Sequence, residues 1–132
     1  MSNGDYVRKL ENLVTHVFEL LRIQISLIPN FKLTGGSNEL SVGVVGYIYG
    51  FTDCAASLAD LELNTEIGHA ALGEIYKALG AHDVTEILDV LSKGDSNTEL
   101  SAGIVFGGQQ YMSWATSNGE IGSWGLTRYF QG

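Results

Sequence analysis

Val7, Leu10, Val14, Val17, Leu21 and Ile28 recur at steps of three, four and seven along the start of the chain. That spacing gathers them on one side of a helix. Leu13, Leu20 and Ile25 widen the stripe, and Gln24 interrupts it at a seam position. The pattern predicts a long helix over 5–28, capped by Asp5 and ended by Pro29-Asn30. At about 1.5 Å per residue it would run roughly 35 Å and lie across the whole domain.

The next apolar stretch, Leu40 to Ser57, is denser and has no such polar side. Val42, Val44, Tyr47, Tyr49 and Phe51 suit a strand, but the run continues without a turn signal through Asp53-Cys54-Ala55-Ala56-Ser57-Leu58-Ala59. Alanine, leucine and aspartate extend a helix better than a strand, so helix is the reading. Gly43, Gly46 and Gly50 interrupt it close to one face. Interior glycines cost a helix about 1 kcal/mol each relative to alanine, so their presence calls for a close neighbour: another helix packed tightly within the monomer, or else a homodimer seam or a ligand against bare backbone.

This stretch returns in altered form sixty residues later. Aligning 39–57 with 99–117 without gaps matches seven of nineteen positions, among them Leu40/Leu100, Gly43/Gly103 and Ala55/Ala115. Further on, Glu66-Ile67-Gly68 recurs as Glu120-Ile121-Gly122. The expected fold is therefore all-α: one domain over 1–132, a bundle of five to six helices with a degenerate repeat of a helical hairpin. Copy one covers 38–80, a bridging helix covers 83–93, and copy two covers 97–131. Asn38 is expected to cap the first glycine-bearing helix, Leu63-Asn64 to break it, and Asn64 or Thr65 to start a helix over Glu66–Leu79 that Gly80 ends. Asp83-Val84-Thr85-Glu86 and Ser96-Asn97-Thr98-Glu99 read as capping boxes. Residues 121–130 are expected to be helical by analogy with the first copy.

Composition and charge narrow the partners. Nearly half of the residues are apolar, which fits a folded core. Of the net charge of −8, residues 1–52 contribute nothing, with four acids against four bases; residues 53–99 carry ten acids against Lys77 and Lys93. Phosphate backbones need clustered cations, so nucleic acid is not an expected partner, nor is an anionic membrane. The longest apolar run is closed by Asp53 and is too short to span a bilayer. Cys54 stands alone, no secretion signal is evident, and the cytoplasm is the expected compartment.

Candidate chemistry is sparse. Glu66 and His69 hold the Glu-x-x-His spacing that carboxylate metal bundles use, and Glu62 stands four residues earlier. The three could form a single-metal face, although the second copy has Ser123 where His69 would repeat. His16 and Glu19 share a face of the first helix, and Asp53 would raise rather than lower the Cys54 thiol. No nucleophile elbow, phosphate loop or dinucleotide fingerprint is present, and no cofactor is expected. The glycines at 43, 46 and 50, with Tyr111 and Trp114, mark the expected contact surface.

Two functions follow as expectations. The first is a non-catalytic, self-associating cytoplasmic protein that acts by protein–protein interaction, as a regulator, adaptor or immunity-type inhibitor, with a basic partner suited to its acidic sector. The second is a protein or enzyme for a small ligand or metal, using Glu62, Glu66 and His69.

Overall fold

The computed structural model describes residues 3–28, 42–81, 84–92, 98–118 and 125. Five helices follow in order: α1 (Asn3–Ile25), α2 (Val42–Leu58), α3 (Glu66–Ala78), α4 (Val84–Ser92) and α5 (Thr98–Thr116). All are α-helices, and no strand occurs among the described residues. The expected caps at Asn38, Asp83 and Ser96 lie outside the described residues, as does the expected helix over 121–130 apart from Gly125.

α1 buries Leu10, Leu13, Val17, Leu21 and Gln24 and leaves Val7 and Ile23 exposed. It starts at Asn3, which moves Asp5 from the predicted cap into the first turn, still beside the positive helix end. Gln24, the polar break in the stripe, is fully buried and accepts a hydrogen bond from the Tyr47 hydroxyl at 3.0 Å. The stripe is thus continuous in packing although not in hydropathy.

The centre of the fold is α2, not α1. From Gly43 to Phe51 every residue but Tyr49 is buried. Such a helix has no side to present to water, which explains why its sequence lacks a polar stripe. α1 packs on α3 and on α2, and α4 covers α2 and α3. α5 pairs with α2 along its length. The Tyr76 hydroxyl of α3 donates to the Val45 carbonyl at 2.7 Å, tying α3 to the central helix.

The α2–α5 pair is built on glycine. A β-carbon at Gly46 would lie 2.5 Å from the Leu100 carbonyl oxygen, and one at Gly103 would lie 2.5 Å from that of Gly43. At Gly50 it would run into the backbone of Ile104, and at Gly107 into that of Tyr47. Positions rise together on both helices, from 43 beside 103 to 51 beside 111, so the two run parallel. Each interior glycine costs about 1 kcal/mol relative to alanine. Complete burial of a large side chain such as Tyr47, Ile48 or Phe51 contributes about 1.5–3 kcal/mol, so packing decides in favour of the seam.

The glycine faces, which the sequence offers either to packing within the monomer or to a seam between two copies, face each other within one chain. α2 and α5 are the leading helices of the two similar segments. The second arm of the later segment falls in the part that is not described, and the duplication stays an expectation from sequence.

Both ends of the α2–α3 connection are set by local chemistry. α2 stops at Leu58, before the break expected at Leu63-Asn64. Asp60 takes a left-handed conformation (φ 57°), the Leu61 amide donates to the Ala56 carbonyl at 2.8 Å, and the Asp60 amide donates to Ser57 at 3.2 Å. This is a Schellman closure with aspartate in the place glycine usually takes. Thr65 then caps α3, its hydroxyl oxygen accepting from the Gly68 amide at 2.9 Å. α3 closes in the same manner on Gly80 (φ 102°), with the Ala81 amide donating to Tyr76 at 3.0 Å.

Candidate ligand cleft

Lys9, Asn12, Leu13 and His16 lie at i, i+3, i+4 and i+7 on α1 and form one wall of a cleft. Ala55 and Leu58 from the last turns of α2, with Ala59 just beyond its end, form the opposite wall, and Leu61 is brought beneath them by the closure at Asp60. Tyr111 of α5 closes the inner end. The space measures about 370 Å³. Lys9, Asn12, Leu58 and Ala59 are exposed at its mouth.

At the inner end His16 Nε2 and the Tyr111 hydroxyl are 2.8 Å apart. The phenol donates when the imidazole carries its proton on Nδ1, and the other tautomer reverses the bond. Tyr111 meets Phe51 edge to face at 5.2 Å between ring centroids, and Trp114 lies 5.3 Å from the His16 ring and 5.7 Å from that of Tyr111. The aromatic packing fixes the pair on a rigid base. Burial lowers the His16 pKa, because imidazolium loses hydration there. Burial, followed by proximity to Cys54, raises that of Tyr111. Both groups are therefore neutral at pH 7. Burial, and then Asp53, likewise raises the Cys54 thiol and keeps it protonated.

Of the residues singled out from sequence, Tyr111 and Trp114 come together here, with His16 as their common neighbour. Gly43, Gly46 and Gly50 line the α2–α5 seam instead. Glu62, Glu66 and His69 do not assemble. Glu62 precedes the Thr65 cap and is off the helix, so the one-turn spacing counted from sequence does not hold; its main-chain carbonyl accepts from the Tyr6 hydroxyl at 3.3 Å. Glu66 and His69 are exposed on α3. Among the described residues no three His, Cys, Asp or Glu side chains come together in a way that could hold a metal ion.

Lys9 and Asn12 escaped the sequence reading. Their only signal was the shared helix face with Leu13 and His16, since the facing wall comes from residues 55–61 and 111. The pairing of His16 with Glu19 is also replaced: Glu19 binds Arg22 at 2.7 Å, and His16 turns inward to Tyr111. No helix among the described residues is long and apolar enough to cross a membrane. Comparison with protein-family models, with curated proteins and with solved structures returns no match for this chain.

Proposed function

We propose that this protein binds a small organic ligand in the cleft between α1, the end of α2 and α5. The reading is supported by one observation above the others: an apolar floor of alanine and leucine on which four polar side chains converge, Lys9, Asn12, His16 and Tyr111. Pockets for small molecules have this make-up, with volumes of about 300–1,000 Å³. The neutral His16–Tyr111 pair offers hydrogen bonds without the cost of desolvating a charge. An NMR fragment screen tests the proposal. Hits should shift the amides of Asn12, His16 and Tyr111, and Ala59→Trp, which fills the mouth, should abolish them. Hits that map elsewhere, or that survive the plug, would dismiss the cleft.

A second reading is supported by the surface around the α2–α3 turn. Asp60, Glu62 and Glu66 are exposed there beside an exposed Ile67, and none of them is ion-paired among the described residues. This acidic edge suits a basic protein partner, the interaction role expected from sequence. Such a complex would weaken strongly between 50 and 300 mM salt, because exposed charges are screened within about 10 Å at 0.1 M. A partner held equally well across that range would not be using this edge.

A further inference from the structure

The charge balance of the cleft differs from that of the protein. The chain carries −8 overall, yet no acidic residue lines the cleft, and the basic Lys9 does. The acids adjacent in sequence to lining residues, Glu11 beside Asn12 and Asp60 between Ala59 and Leu61, are exposed and are not part of the lining. Lys9 makes no ion pair among the described residues. Next to it stands the Asn12 amide, a neutral donor one helical turn further on. Beyond these two, the floor is aliphatic as far as the His16–Tyr111 pair.

Building on the small-ligand reading above, we propose that the cleft takes a monocarboxylate with an unbranched or aromatic apolar tail, its carboxylate on Lys9 and Asn12 and its tail over Leu13, Ala55 and Leu58. One ammonium and one amide match a single negative charge. A phosphate dianion would need a second cation or a fork of donors, and the described lining supplies neither. A cationic ligand would meet Lys9 at the mouth with no acid to hold it. At about 370 Å³ the cleft lies at the small end of the range for small-molecule sites, which suits a short chain such as octanoate.

The test titrates octanoate, octanamide, octylammonium and acetate into the full-length protein, followed by NMR shifts of the cleft amides. Octanoate should bind, octanamide about tenfold more weakly as the charge-assisted bond is lost, and octylammonium and acetate more weakly still. Lys9→Met should erase the preference for octanoate over octanamide, and Arg8→Met, a neighbouring cation outside the lining, should preserve it. Lys9 is exposed, so its variant keeps the fold, and an unchanged amide spectrum away from the cleft verifies this. If octanamide or octylammonium binds as tightly as octanoate, or if Lys9→Met leaves the preference intact, the carboxylate assignment is overturned while the cleft survives. If no eight-carbon probe moves the cleft amides, the apolar-tail assignment is overturned, and the plug variant in the fragment screen then decides the cleft separately.

Discussion

A methyl group at Gly50 would overlap the Ile104 main chain, whereas one at Gly108 would rest 3.6 Å from the Gly50 carbonyl oxygen, an ordinary contact. The two glycines are equally helical, so alanine should separate them by sterics alone. Gly50→Ala should destabilise by about 3 kcal/mol, because the α2–α5 backbones must move apart. Gly108→Ala should be neutral or stabilising by up to about 1 kcal/mol through helix propensity. Urea unfolding of both variants checks this; equal losses would mean that the seam is not as close as described. His16 gives a second residue-scale prediction. Its ordinary pKa is about 6.5, and burial places the folded value lower. Above pH 6.5 folded and unfolded forms are alike neutral. As the pH drops below that, the unfolded chain takes up the proton first, so this group subtracts stability until the folded imidazole also titrates. Asp53, raised by burial, acts in the opposite sense at lower pH. The NMR titration of the His16 ring should show a midpoint below 6.5, and a midpoint at or above it would contradict the inward placement against Tyr111.

Helix boundaries were legible where side chains write them. Thr65 followed by a glutamate-led helix and ended by Gly80 located α3 within a residue, and the cap can be weighed: Thr65→Ala should cost about 1 kcal/mol, with Thr65→Ser retaining most of the stability. Equal thermal stability of all three proteins would show that the hydroxyl bond to Gly68 contributes nothing. The end of α2 was not legible, because the left-handed residue is Asp60 and no glycine marks the spot. What holds it there is the buried Leu61, a contact that only the assembled fold supplies. Likewise the glycines of α2 announced a close neighbour without naming it. Whether that neighbour was α5 or a second copy depended on register, and register is a property of two segments at once.

At the scale of the whole protein, the all-helical class was readable from periodicity and from glycine set within helix-forming residues. The cleft was not. Its walls come from 9–16, 55–61 and 111, and no spacing within one segment encodes their meeting. The electrostatic asymmetry was half legible: the sequence places its excess acid in 53–99, and the structure adds that the cleft facing α1 is free of lining carboxylates.

The parallel pairing of α2 with α5 also bears on how the protein is made. A helix apolar on every side leaves the ribosome some forty residues before the strip that will cover it, as Leu58 and Thr98 bound that interval. Until then its greasy flank has no mate, and such nascent species tend to clump or recruit chaperones. A chain ended after Ser92 should thus be trapped in inclusion bodies while the full one stays in the supernatant. Supplying 98–118 as a separate peptide during refolding should rescue part of it.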